Sequence, residues 1–153
     1  MLRVYLPLAA CLLVIAGPAA PADKPYPIFT PENFTNTMQL VGRNFAAVNA
    51  AIAKNDFDTA KAQLVRSREL LATTVTYWKD RKQDDAVQIL RDTLDKMSNL
   101  DTALSAEKIE PASAAALAKQ IGGGCQSCHA AYREQDPQTK AYRFKNSAKA
   151  AAR

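Results

Sequence analysis

Four stretches of this chain set their apolar residues at steps of three and four. Such a pattern can be buried only as helices lying side by side. In the first stretch Phe34, Met38, Val41, Phe45, Val48 and Ile52 form one stripe. Thr30-Pro31-Glu32 opens it, with Thr30 as N-cap and Pro31 at the first helical position, where its missing N–H costs nothing. Lys54-Asn55-Asp56 ends that helix and begins the next, which carries Phe57, Ala60, Leu64, Ser67, Leu71, Val75 and Trp78. A charged turn is expected from Lys79 to Gln83. Val87, Leu90, Leu94, Met97 and Leu104 then line a third helix, with Ile89 and Leu100 flanking its seam. Glu110-Pro111 opens a fourth, running through Leu117 and Ile121 to Tyr132. No segment alternates with the two-residue period of a half-buried strand. The expected fold is all-α, an antiparallel up-down-up-down four-helix bundle with short connections. Alanine is abundant on the stripes, which permits close helix approach but leaves a thin core.

The 153 residues suit one domain. Met1-Leu2-Arg3, a short apolar run and Ala20-Pro21-Ala22 read as an export signal cleaved after Ala22. The run is too short for a comfortable membrane span. An uncleaved anchor is one alternative. A lipid-modified Cys11 after Leu8-Ala9-Ala10 is another, although the apolar run continues past that cysteine. The expected organisation is a signal over 1–22, a helical domain over 23–136 and a basic tail over 137–153. That tail holds Lys140, Arg143, Lys145, Lys149 and Arg153 and no acid, so it contributes the positive excess of a chain with net charge +5. It reads as a solvated terminus, or as a surface for an acidic partner. With few aromatics among these basic residues, nucleic acid is not an expected partner.

The mature chain would keep two cysteines, in Cys125-Gln126-Ser127-Cys128-His129. C-x-x-C-H is the attachment signature of c-type haem. Two thiols on one helical turn reach two vinyl groups of a porphyrin edge, and the next residue offers its imidazole to the iron. His129 is the only histidine of the chain, so no other residue can supply an imidazole. Three other readings of the motif are weaker. Structural zinc needs four ligands, and one turn offers three. A thioredoxin-like dithiol belongs beside a βαβ pattern, which is absent. A lone disulfide closing so small a loop stabilises little. Gly122-Gly123-Gly124 just before the motif reads as a break between helical pieces, or, at Gly122, as room for a flat macrocycle against the backbone.

Cys125 to Arg133, in the order Cys-x-x-Cys-His-x-x-Tyr-Arg on the last of four helices, resembles the class II c-type cytochromes, the cytochrome c′ group. The resemblance covers about residues 30 to 134 and is carried mainly by the last helix. It implies a four-helix bundle holding one covalent haem c, a periplasmic location, and His129 as proximal ligand. Low-spin members of the group take a methionine from the first helix as second ligand, and Met38 stands there on the apolar face. Asn36-Thr37-Met38-Gln39-Leu40 also looks like the start of the four-helix b-type cytochrome, where methionine is the ligand. Without ligation Met38 is a core filler, as Met97 is read to be. Phe34, Val41 and Phe45 would wall the pocket, Tyr132 would pack against the haem, and Arg133 would face a propionate or solvent.

The function so implied is one-electron transfer with His129 and Met38 as axial ligands, and no enzyme activity. The expected partners are redox proteins, among them acidic ones. A five-coordinate, cytochrome c′-like protein that binds NO or CO is the main alternative. A third is an assembly module with a structural haem. Homodimers occur in the group, and nothing in these residues requires one here.

Overall fold

The computed structural model describes residues 30–145. The expected signal over 1–22, with Cys11, and the last two basic residues, Lys149 and Arg153, lie outside the described residues. The chain is mostly helical, with four long helices, one short one and a small two-stranded sheet.

Helix α1 spans Pro31–Ala53 and starts as its sequence dictates, with Thr30 Oγ1 accepting the Asn33 N–H at 3.1 Å and Pro31 in the first turn. It stops at Lys54, and Asn55 takes a left-handed backbone (φ 57°), which asparagine tolerates. Asp56 then caps α2, Phe57–Thr73, by accepting the Thr59 N–H at 3.2 Å.

The expected second helix, which ran to Trp78, is in fact two. A break at Thr74 separates α2 from α3, Val75–Asp80. Thr73, Thr74, Val75 and Thr76 are four successive β-branched residues, stiff and slightly unfavourable in a helix. The threonine hydroxyls also compete for the backbone, donating to Leu70 O at 2.7 Å, Leu71 O at 2.6 Å and Thr73 O at 3.0 Å. The Thr74 N–H bonds Leu71 O, three residues back rather than four. Tyr77 and Trp78, just beyond this tightened turn, are both buried.

Helix α4, Asp84–Ala103, begins with two acids favourable to a helix N-terminus. Its buried seam is Leu90, Thr93, Met97, Leu100 and Leu104, in steps of three and four. Leu100 is fully buried where a flanking place was expected, and Thr93 takes the seam position instead of the half-buried Leu94. Helix α5, Pro111–Tyr132, runs unbroken through all three glycines, so the expected break there does not occur. Its inward stripe is Ala114, Ala118, Ile121, Cys125, Cys128 and Tyr132. The two thiols therefore occupy positions that the helix period would otherwise give to apolar side chains.

α1 packs on α2, α2 on α4, α4 on α5, and α5 on α1. Ala60, Ala86 and Ala114 are wholly buried and let the axes approach. The Ser67 hydroxyl spans the α1–α2 seam to donate to Val41 O at 3.3 Å. Among the described residues no helix is long and apolar enough to cross a membrane.

The stretch after α5 is exposed from 137 to 143, as a solvated tail would be, but it is folded into a hairpin as far as Lys145. Strands β1, Arg133–Gln135, and β2, Tyr142–Phe144, pair antiparallel with Arg133 opposite Phe144. Asp136 holds the turn by accepting the N–H groups of Gln138 (3.0 Å) and Thr139 (2.9 Å). Phe144 returns to the helices and packs on Phe34, Tyr77 and Trp78, with ring centroids 5.4, 5.5 and 5.9 Å away. Arg143, expected in a free basic patch, is bound to Glu134 at 2.9 Å and Asp136 at 3.4 Å.

Candidate cofactor-binding cleft

The Cys125-Cys128-His129 turn faces a cleft between α1, α3, α4 and α5. Phe34 and Met38 line it from α1, Leu71 from α2, Trp78 from α3, Ile89, Leu90 and Thr93 from α4, and Gly124 with the motif residues from α5. The cleft measures about 30 Å³, far below the roughly 300–1,000 Å³ of sites that enclose a small molecule, so a group as large as a haem would enter only as the helices part.

Each motif residue gets its place from the helix period. Cys125 and Cys128 lie three apart on the inward stripe of α5, and His129 completes the turn four residues after Cys125. Both thiols are free and half-buried. On an intact helix, residues so spaced hold their Cβ atoms about 5–6 Å apart. A disulfide needs roughly 3.5–4.5 Å, so the pair cannot close without opening the helix. Burial raises the Cys125 thiol above its ordinary range. The Cys128 thiol is pushed up to about 11, by burial first and then by Cys125 and the Asp85 carboxylate. Neutral thiols of this kind are the opposite of the acidified thiolates that carry out disulfide exchange. Burial, with the Arg133 guanidinium adding to it, lowers His129 below its usual value, so the imidazole is neutral near pH 7, as an iron ligand must be.

Of the residues expected at the site, the fold brings together Cys125, Cys128, His129, Met38 and Phe34. The others lie elsewhere. Val41 is buried on α1 and its carbonyl is occupied by Ser67. Phe45, half-buried further along α1, does not line the cleft. Tyr132 stands behind the cleft wall, its ring 4.7 Å from that of Trp78. Arg133 sits on the hairpin, 4.1 Å over the Tyr142 ring.

Gly122 does not line the cleft, and a Cβ there would meet nothing within 4 Å, so no neighbouring side chain demands glycine. Gly124 is the glycine that matters. A Cβ on it would overlap Thr93 Oγ1 and lie 3.3 Å from Thr93 Cβ. Its place could have been inferred from sequence, since it stands four residues before Cys128 and so shares that side of the helix. Trp78 could not. Its stripe position marked it as core, which it is, and that it also lines the cleft depends on the packing of distant segments.

The lining carries the marks of a site for a flat apolar group with a metal. Two thiols, a neutral imidazole and a thioether converge on a cleft otherwise lined by aliphatic and aromatic side chains. His129 Nδ1 and Trp78 Nε1 are buried there without a hydrogen-bond partner, which is costly unless something completes them. Among the described residues no three His, Cys, Asp or Glu side chains are grouped as a metal site of their own. These residues fit a haem, with Cys125 and Cys128 to hold its edge and His129 and Met38 to face its iron. No protein family, curated protein or solved structure matches the chain.

Proposed function

We propose that this protein is a periplasmic electron carrier of the class II c-type cytochrome kind, with one haem c bound covalently through Cys125 and Cys128. One observation carries the proposal. Met38, the methionine that the resemblance singles out on the first helix, lines the same cleft as Cys125, Cys128 and His129 on the last. The cyclic contacts α1–α2, α2–α4, α4–α5 and α5–α1 support the antiparallel four-helix bundle that such proteins use.

The cofactor, when bound, supplies the one-electron iron couple. The chain's own residues set the conditions for it. Neutral His129 offers a lone pair without first losing a proton. Met38 offers a soft thioether, which favours the reduced metal and raises the potential. Phe34, Leu71, Trp78, Ile89 and Leu90 exclude water, which keeps reorganisation small when the charge changes. His129 is the only histidine, and once committed to the metal it leaves no imidazole for general acid–base chemistry. The chain is accordingly proposed as a carrier rather than an enzyme, handing electrons to and from redox partner proteins.

Optical and EPR spectra of the exported, haem-loaded protein beside Met38→Ala test this. The expected wild type is low-spin with a methionine-to-iron charge-transfer band, and the variant is high-spin. A high-spin wild type that takes up CO or NO readily would transfer the function to gas binding. A chain exported without covalent haem would end the proposal.

A further inference from the structure

Among the described residues Trp78 is the most thoroughly enclosed aromatic, at 1% exposure, and it lines the cleft. Four rings fix its orientation: Tyr132 at 4.7 Å, Tyr77 at 5.2 Å, Phe34 at 5.3 Å and Phe144 at 5.9 Å between centroids. Three of these, Tyr77, Phe34 and Phe144, meet it edge-on at 82–89°. An indole so held cannot swing its N–H towards water, yet among the described residues Nε1 has no acceptor within reach. The one hydroxyl lining the cleft, that of Thr93, donates to Ile89 O at 2.8 Å and keeps lone pairs, but it is not within hydrogen-bond distance of Nε1. A preset donor without an acceptor is a standing cost that folding alone does not recover. Because Trp78 lines the cleft, a group that fills the cleft can bring the acceptor with it.

This step rests on the haem proposal above. The acceptor oxygens of a haem are those of its two carboxylate side chains. Arg133, which the sequence offered as the carboxylate's partner, lies over Tyr142 and does not line the cleft. Buried Arg81, three residues beyond Trp78, keeps a guanidinium at this end of the molecule, where it bonds Tyr77 O at 3.2 Å and lies 3.8 Å from Asp80. It adds positive field there without lining the cleft.

We propose that the Trp78 indole N–H donates a hydrogen bond to a carboxylate oxygen of the tetrapyrrole, making Trp78 a positioning residue that also tunes the potential. The physical consequence has a sign. A donor on the carboxylate draws negative charge away from the metal, so losing it favours the ferric state and lowers the potential.

Trp78 is the only tryptophan of the chain, so its indole N–H gives a single, unambiguous signal in an amide-correlated NMR spectrum. The experiment compares that signal in the reduced haem-loaded protein and the haem-free chain, and measures the reduction potential of Trp78→Phe beside wild type. The proposal expects slower solvent exchange of the indole N–H when haem is bound. It also expects a variant that keeps covalent haem but has a lowered potential. The NMR comparison stands on wild type alone if the variant does not fold. Equal exchange with and without haem, or an unchanged potential in the variant, overturns the assignment and leaves the haem proposal intact. A variant with altered CO dissociation at unchanged potential gives the donor to a ligand on the iron and likewise overturns it. Wild type exported without covalent haem overturns the haem proposal itself, and this assignment with it.

Discussion

Replacing Gly124 by alanine measures how closely α4 and α5 approach at the cleft. In a helix interior, alanine is favoured over glycine by about 1 kcal/mol. At the neighbouring Gly123, exposed and with nothing within 4 Å of a new Cβ, that gain should appear nearly whole. At Gly124 the same Cβ overlaps Thr93 Oγ1 and presses on Thr93 Cβ and Cγ2 at 3.3 and 3.4 Å. Thr93 cannot turn aside cheaply. It is β-branched, 3% exposed, and its hydroxyl is bonded to Ile89 O at 2.8 Å. Overpacking of this kind costs about 1–3 kcal/mol. Against the propensity gain, Gly124→Ala should range from neutral to about 2 kcal/mol destabilised. The two alanine variants should then differ by about 1–3 kcal/mol, the overpacking cost itself. Urea unfolding of the haem-free chain, followed by circular dichroism, reads this as midpoints about 1 M apart. Thr93→Ala in the Gly124→Ala background should recover most of the loss, as a coupled pair does. Equal midpoints for the two single variants would refute the close approach and, with it, the role given to this glycine.

Three further outcomes follow from other parts of the molecule. Phe144→Ala strips a half-buried ring from Phe34, Tyr77 and Trp78, and should cost about 1–3 kcal/mol with a red shift in tryptophan emission; an unchanged melting curve would mean that the hairpin is not docked on the helices. Tyr132 is held well above its ordinary 10.0 by burial and then Asp85, and Tyr77 is raised chiefly by burial. With folded values above the unfolded one, their contribution is whole below pH 10.0 and declines as pH rises beyond it, because the unfolded chain loses its phenolic protons first. Urea midpoints taken from neutral to alkaline pH should fall in that window, and less steeply in Tyr132→Phe. In the haem-free chain Cys128, with its thiol pushed up to about 11, should alkylate far more slowly at neutral pH than a free cysteine, and labelling as fast as in the unfolded chain would contradict its burial.

Much of this protein is local in origin, and local features could be read directly from the sequence. Thr30-Pro31 starts a helix because a hydroxyl cap and a missing N–H act within one turn, and at Glu110-Pro111 the proline alone marks the last helix, with no side-chain cap. The three-and-four spacing names the buried faces. Because Cys125, Cys128 and His129 belong to a single helical turn, their mutual placement was settled by the period alone. Even the break at Thr74 had a local cause in four β-branched residues, although the stripe continuing to Val75 and Trp78 concealed it. What required the tertiary structure was every relation between distant segments. Met38 shares a cleft with His129 because α1 packs on α5. Gly124 rather than Gly122 is constrained because Thr93 of α4 stands against it. Residues up to Lys145 are not a loose tail, because Phe144 finds an aromatic cluster assembled from α1 and α3. Trp78 is core, as its stripe position said, and lines the cleft as well because residues of α1, α4 and α5 meet beside it. The physical reason is common to these cases: caps and periods depend on hydrogen bonds a few residues long, whereas a cleft depends on which faces meet and how near.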